Sequence, residues 1–415
     1  MRLAPTTPKE RNLRQSDFFL LWAGAAISIM EIFSGGLLAP LGLVTGILVI
    51  VFGHVIGNTP LALAGLLGQE KGVTSMVSVR FSFGIRGSHL FAVLNIMQLI
   101  GWMAVMEIVA ADAMDTLTQH LFSYTNPRLW IVGIGALTTF WALSGERAWR
   151  HLNRIAVTFL LILTAFITYN VFFVFESPLS FHPPGHLPLA LGLDLVIAMP
   201  ISWLPLVSDY SRFAKRGSFW GTWVGYFIVS SWMYFVGLIS ALSAGEAMPT
   251  QAMLVLGLGM PAMFIVVLST VTSDYLDVYS SAASWLNIWP HARDKLAMIV
   301  AGALGIGVAL VFPIEQYQNF LLWIGSVFCP LFAVVITDYI VKRREYDVEE
   351  VLREMGGRYW YRRGFNPKAI AAWAVGLAVY WLANYLGVGS SIPSMLSAAG
   401  LYYLIEIRAI GRRNY

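Results

Sequence analysis

From residue 18 onward the chain is a succession of long apolar runs separated by short polar breaks. A helix that crosses a bilayer needs about 20 mostly apolar residues. Twelve stretches meet or approach that length, at 18–40, 42–67, 89–118, 129–145, 153–175, 190–209, 219–244, 257–285, 296–312, 318–341, 368–386 and 391–409. The ninth is short, and only Gly387–Ser390 separates the last two. The longest polar stretch, Lys342 to Lys368, reads as a charged loop and not as a soluble domain. The expected fold is an all-α integral membrane protein with twelve transmembrane helices.

The basic residues orient it. With both termini in the cytoplasm, 26 of the 27 Lys and Arg residues fall in the two termini and the inner loops, and Arg128 is the exception. Cytoplasmic loops of membrane proteins carry the excess of positive charge, so cytoplasmic termini are predicted. A missed span would scramble this alternation, which also supports the count of twelve.

Composition narrows the class. Of the 415 residues 57% are hydrophobic and 12% charged, with mean hydropathy +0.67, whereas soluble domains carry roughly 25% charged residues. A soluble chain this apolar would expose large sticky patches. Fifteen Trp among 14% aromatics suit interfacial belts and a stacking site. A formal charge of +4 and a pI near 9.1 would suggest nucleic acid in a soluble protein. Here the basic residues lie in short loops between apolar runs, so the expected surroundings are the lipid bilayer and no nucleic acid. The single cysteine, Cys329, excludes an internal disulfide and a thiolate metal cluster; beside Pro330 in an apolar run it reads as packing. Met1 to Asp17 is polar and basic, without the pattern of a cleaved signal peptide.

Two runs are interrupted. The first reads Gly24-Ala-Ala-Ile-Ser-Ile-Met-Glu-Ile-Phe-Ser-Gly-Gly36, which sets an acid and a Gly-Gly pair in mid-membrane. The sixth reads Ile197-Ala-Met-Pro-Ile-Ser-Trp-Leu-Pro205, with two prolines and a serine at depth. Proline removes a backbone donor and unwinds a helix locally, and unwound backbone at membrane depth is tolerated only where it lines a cavity or protein interior. Runs one and six hold corresponding places in two five-helix halves. Paired interruptions of this kind point to a transporter binding site built from inverted repeats. The competing explanation is the general abundance of Gly and Pro in membrane helices, and no residue-level repeat relates the halves.

Ionisable groups inside spans are costly and each marks a functional hypothesis. Glu31 is the foremost, beside the first interruption; the alternative is a structural acid bonded to freed backbone. Asp274 and Asp277 lie in span eight. Ser269, Thr272 and Ser273 share a helical face there and could offer hard oxygen ligands to a small monovalent cation, with carbonyls freed at the first interruption completing the shell. Back-bonding of such hydroxyls to their own helix is the competing reading. Gln98 and Trp102, four apart in span three, offer an amide and a stacking plane. Glu107, on roughly the opposite face, is expected in helix–helix contacts. Trp203 is a further stacking plane or a packing residue. His182 and His186 fall in the Pro/Gly-rich loop 177–188 and have no convincing metal-ligand spacing.

Four stretches together carry a resemblance: Val79-Arg-Phe-Ser-Phe-Gly-Ile-Arg-Gly-Ser88, Gly101-Trp102, Ser208-Asp-Tyr-Ser-Arg-Phe213 and Thr337-Asp-Tyr339. Their combination resembles the nucleobase–cation symporter-1 family over nearly the whole chain. Within it the chain is similar to bacterial cytosine permeases and to the hydroxymethylpyrimidine permease branch linked to thiamin precursor salvage; the stretch from Ile29 to Gly36 points to the latter.

The resemblance implies a LeuT-like fold of two inverted five-helix repeats plus two C-terminal helices, working by alternating access in the bacterial inner membrane. Residues 1–17 would form a cytoplasmic N-terminal segment, 18–175 and 190–341 the repeats, 342–367 a cytoplasmic loop, and 368–415 the additional helices and C-terminus. It implies sodium as coupling ion, held by the side chains of Ser269, Thr272 and Ser273 and the carbonyls of Gly24 and Ile27. A small pyrimidine would lie among groups of helices one, three, six and eight: Ser28, Glu31, Gln98, Trp102, Ser202, Trp203 and Asp274. The chain departs from the family pattern in several places. Gln98 is offset by one residue from the permease glutamine, Pro200 and Pro205 are additions, Asp274 stands for an asparagine, and Glu31 for a small polar residue. Those acids suit a 4-aminopyrimidine, whose amino group and ring nitrogen can form a bidentate pair with a carboxyl, charge-assisted when the ring is protonated. Glu31, and second Asp274, is expected to read that edge while Trp102 stacks on the ring. The same acids leave a proton open as coupling ion instead of, or alongside, sodium.

The expected function is sodium-coupled uptake of hydroxymethylpyrimidine. The alternative is a cytosine, purine, hydantoin or allantoin permease, with proton coupling possible. No nucleophile–base pair or HExxH motif supports an intramembrane enzyme, no Walker-type loop supports an ATP-driven pump, and no cofactor is expected.

Overall fold

A computed structural model of the chain describes residues 5–144, 146–174, 185–342 and 345–411. Regular structure among them is helical throughout. The first half comprises α1 (Gln15–Ala26), α2 (Ile29–Gly36), α3 (Leu43–Lys71), a short α4 (Ser75–Phe83), α5 (Ile85–Phe122), α6 (Pro127–Ser144) and α7 (Glu146–Phe173). The second comprises α8 (Leu189–Ser202), α9 (Leu204–Ser211), α10 (Ser218–Ala244), a short α11 (Pro249–Val255), α12 (Gly259–Ile288), α13 (Asp294–Ala309) and α14 (Tyr317–Lys342). A short α15 (Val348–Val351) sits in the loop that follows, and α16 (Pro367–Leu386) and α17 (Ser391–Gly411) come last.

A helix thus stands at each of the twelve apolar runs. Among the described residues eight segments are long and apolar enough to cross a membrane, or nine if the bent pair formed by α1 and α2 is one span. The remaining three lie at the margins. The 16 residues of α13 rise about 24 Å, short of a hydrocarbon core of about 30 Å; α6 has 18 residues, and α17 carries Glu406 and Arg408 toward its end.

The first interruption is sharper than the second and falls earlier than its glycine pair. The chain leaves the helix at Ile27 (φ −80°, ψ 84°) and Ser28 (φ −141°, ψ 145°), and α2 departs from the α1 axis by 60°. Ser28 restarts the helix as an N-cap, its hydroxyl accepting from the Met30 N–H at 3.2 Å. The glycines serve packing instead. A Cβ on Gly35 would collide with the Tyr234 carbonyl, and one on Gly237 with the Ile32 carbonyl, so α2 and α10 touch backbone to backbone, as small residues allow in membranes. Gly53 and Gly57 of α3 leave room for the side chains of Val196 and Pro200 of α8. The second interruption is the single residue Trp203 between α8 and α9.

The N-terminal segment and the connections after α3, α9 and α14 meet one another. Thr6 bonds to the Gly72 and Arg212 carbonyls, Leu13 pairs with Phe213 and Lys215, and the Lys71 ammonium donates to the Tyr346 carbonyl. The last two helices are tied in by charge. Both carboxylate oxygens of Asp194 accept the first N–H groups of α17, from Ser390 and Ser391 at 2.7 and 2.8 Å. Asp338 of α14 accepts the Tyr402 hydroxyl at 2.6 Å, and Glu406 pairs with Lys342 and Lys368.

Replacing Gly237 by Val forces α2 and α10 apart. It is expected to cost about 1–3 kcal/mol, as overpacking does, read as a lowered melting temperature in detergent. Gly133→Ala, where an added methyl meets nothing within 4 Å, is expected to melt as wild type.

Candidate functional site

Both interruptions open on one cavity of about 170 Å³, walled by residues of α1, α2, α5, α8, α9 and α12 together with Ser28 and Trp203 at the breaks. That is below the roughly 300 Å³ at which drug-sized pockets begin and suits one small ring. Trp102 of α5 and Trp203 reach it from different sides, and Leu99, Met106, Met199 and Leu206 supply apolar wall. Trp22 of α1, itself on the cavity, holds Trp203 and Tyr210 by edge contacts at 5.8 and 6.2 Å between ring centres. Trp102 is braced edge-on by Phe320 and Tyr317 at 5.3 and 6.0 Å.

Two acids stand on this wall, Glu31 and Asp277. Ser28 and Glu31 have the spacing of a capping box, yet the carboxyl turns away to α10. The Tyr226 hydroxyl donates to Oε1 at 2.6 Å and accepts the Trp203 indole N–H at 3.0 Å. Oε2 lies 2.8 Å from the Ser230 hydroxyl, which lies 2.5 Å from Nε2 of the buried His54. The acid is thereby fixed at the cavity edge with lone pairs to spare, since a carboxylate has about four acceptor sites. Ser202, whose hydroxyl donates to the Met199 carbonyl at 2.6 Å, Ser273 and Tyr210 also line the wall. The arrangement can hold a small planar heterocycle with donors on one edge.

A family model for a permease for cytosine/purines, uracil, thiamine and allantoin matches residues 5–405. The chain belongs to this family. The cytosine permease of Escherichia coli K12 is 26% identical over 376 residues, covering 88% of this chain and 84% of that protein. The hydantoin permease of Microbacterium maritypicum is 25% identical, with coverage of 91% and 83%. Among solved structures, Mhp1, a nucleobase-cation-symport-1 family transporter closed around bromovinylhydantoin, superimposes with a TM-score of 0.84 at 23% identity, covering 99% of this chain and 95% of that one. The inward-facing conformation of Mhp1 gives 0.85. The permease is therefore a multi-pass membrane protein of Mhp1-like fold, a secondary transporter of small nucleobase-like molecules and not an enzyme.

Of the residues singled out for a ligand, the permease brings Ser28, Glu31, Trp102, Ser202 and Trp203 to the cavity, and Gly24 and Ser273 of the cation set with them. Gln98 and Asp274 lie elsewhere. The Gln98 amide donates to Asn95 and to the Ser202 carbonyl at 2.8 and 2.9 Å, because the α5 face turned to the cavity is centred on Leu99, Trp102 and Met106. Asp274 is fully buried on the far side of α12, within electrostatic reach of Glu107, whose carboxyl packs against Gly135 of α6. Thr272 turns its hydroxyl back to the Leu268 and Ser269 carbonyls. Ser269 and Ile27 are buried beside the cavity residues without lining it. His186 is in the described connection before α8, and His182 lies outside the described residues. Among the described residues no three His, Cys, Asp or Glu could hold a metal ion, so a cation here would depend on hydroxyls and carbonyls.

Trp22, Tyr210 and Asp277 are additional cavity residues, and His54, Tyr226 and Ser230 support Glu31 from behind. Asp277, already noted with Asp274 as an acid inside span eight, stands one turn from Ser273 on the cavity side. The other partners come from α3 and α10, more than a hundred residues from Glu31 or on a separate span, and no local spacing announces them.

Gln98→Leu separates the two roles of that amide. It is expected to leave the Ser202 carbonyl unmet and cost about 1–3 kcal/mol of stability, seen by thermal unfolding, with ligand affinity nearly unchanged. Wild-type melting with lost affinity would place Gln98 on the ligand.

Proposed function

We propose that this permease imports a small aminopyrimidine, hydroxymethylpyrimidine, by sodium-coupled alternating access. In this reading residues 18–175 and 190–341 are inverted five-helix repeats within a twelve-span protein of the bacterial inner membrane, with both termini cytoplasmic. The observation that carries the substrate class is the Glu31 carboxyl at the wall of a cavity sized for one ring, flanked by Trp102 and Trp203. A carboxyl meets the amino group and adjacent ring nitrogen of a 4-aminopyrimidine with two hydrogen bonds, while an indole covers the ring. Apolar walls exclude water and strengthen both contacts.

Sodium would bind where α1 ends and α12 passes. Gly24 and Ser273 reach the cavity there, and the carbonyls around Ile27 lack regular helical partners because the helix stops. Thr272 contributes only if its back-bonded hydroxyl turns. Relatives named for cytosine, hydantoin and allantoin transport favour a second reading, uptake of such a ring, with proton coupling possible.

Uptake of labelled hydroxymethylpyrimidine into proteoliposomes tests the proposal. An inward sodium gradient is expected to drive saturable accumulation that potassium does not support and excess cytosine barely competes. No accumulation, with cytosine or hydantoin taken up instead, would overturn the substrate assignment. Glu31→Gln is expected to weaken binding of hydroxymethylpyrimidine about 10- to 100-fold, the worth of a hydrogen bond to a charged group; unchanged affinity would remove Glu31 from the site. Ser273→Ala is expected to raise the sodium concentration for half-maximal uptake while leaving the rate at saturating sodium near wild type.

A further inference from the structure

Glu31, Ser230 and His54 converge from α2, α10 and α3, and their hydrogens do not balance for a carboxylate beside a neutral imidazole. His54 Nδ1 lies 2.8 Å from the Ile50 carbonyl. A carbonyl only accepts, so Nδ1 carries a hydrogen, and in the neutral ring Nε2 is then a bare acceptor. The Ser230 hydroxyl stands 2.5 Å from that Nε2 and 2.8 Å from Glu31 Oε2. Its one hydrogen serves one of them, which leaves the other pressing a lone pair against oxygen at hydrogen-bond distance. One further proton removes the conflict. On Glu31, the acid donates to Ser230 and Ser230 to His54. On His54, the imidazolium donates to Ser230 and Ser230 to the carboxylate.

We propose that Glu31, Ser230 and His54 form a single proton-holding unit, and that the place of its proton decides whether the cavity meets a neutral acid or a carboxylate at Glu31. In passing between the states, the Glu31 proton moves to Ser230 Oγ as the hydroxyl's own proton moves to His54 Nε2. Two O–H bonds break, one O–H and one N–H bond form, and the unit stays neutral overall. Neutrality matters because an isolated charge at membrane depth is expensive; His54 supplies a counter-ion in place whenever Glu31 ionises toward a ligand. Tyr226 serves Oε1 in either state. Other titratable groups facing the unit are Tyr234 of α10, whose ring meets His54 edge-on at 4.9 Å, Tyr317 of α14 and, on the same cavity, Asp277 of α12. No Lys or Arg acts on either group among the described residues, so His54 is the cation within reach. A ligand edge rich in donors draws the carboxylate state, because the acid's one O–H is given to Ser230 and the ionised group is the stronger acceptor toward the cavity. The amino edge of an aminopyrimidine is such an edge, a step that rests on the substrate reading above; the proton unit itself does not.

Infrared spectroscopy of the full-length protein, with nitrogen NMR of isotope-labelled histidine, tests this. Without ligand, wild type is expected to show a protonated-carboxyl C=O band that Glu31→Gln abolishes, or an imidazolium resonance that His54→Asn abolishes. Saturating hydroxymethylpyrimidine is expected to exchange one signal for the other. Ser230→Ala keeps both titratable groups and cuts the bridge, and is expected to lose that exchange. A ligand-free protein with neither signal, or an exchange that survives Ser230→Ala, would overturn the unit. A wild type that shows the ligand-free signal but neither binds nor accumulates hydroxymethylpyrimidine would overturn the substrate reading and leave the unit standing.

Discussion

Backbone that leaves the helix inside a bilayer finds no water, so each freed N–H and C=O must be met by protein, ion or ligand. The permease breaks α1 from α2 at Ile27–Ser28 and then meets what it has freed. Ile27 N–H turns back to the Gly24 carbonyl at 3.3 Å and Ser28 N–H to the Ala26 carbonyl at 3.0 Å, while the Ser28 hydroxyl takes Met30 N–H. The break beside Trp203 is met across helices, where Gln98 bonds the Ser202 carbonyl. Both breaks border the one cavity lined by Gly24, Ser28, Ser202 and Trp203, and that is the ground for the proposal that ligand and cation bind there.

Holding such a break in place requires a rigid cover, and the glycine contacts between α2 and α10 provide it. They bring Tyr226 and Ser230 within reach of a carboxyl in the first turn of α2, where the helix dipole favours negative charge. Packing and chemistry are thus one constraint: the close approach that seals the bent helix also delivers the hydroxyls that fix Glu31. A side chain at Gly35 or Gly237 would disturb both.

Much of the fold was legible because twenty-residue apolar runs are long signals, and a helix stands at each one. The position of the first break was not. Gly35 and Gly36 drew attention as helix breakers, but in a membrane small residues also mark close helix contact, and that is their use here. Glu31 and Trp203 drew notice as residues beside the breaks and Trp102 as a stacking plane on the unbroken α5, and all three stand on the cavity wall. One helical turn decides the face on the other spans: Gln98 points to the Ser202 carbonyl, and on α12 Asp277 lines the cavity where Asp274 does not. His54 and Ser230 were invisible because their meaning depends on contacts 176 residues apart.

The central proposal is that ligand and sodium meet at the break between α1 and α2, so that each strengthens the other's binding. Linkage requires such coupling to be reciprocal. The most direct measurement is calorimetric titration of purified permease with hydroxymethylpyrimidine over a series of sodium concentrations, and with sodium over a series of ligand concentrations. The account predicts that saturating sodium tightens ligand binding by the same factor by which saturating ligand tightens sodium binding. A ligand affinity indifferent to sodium would contradict it.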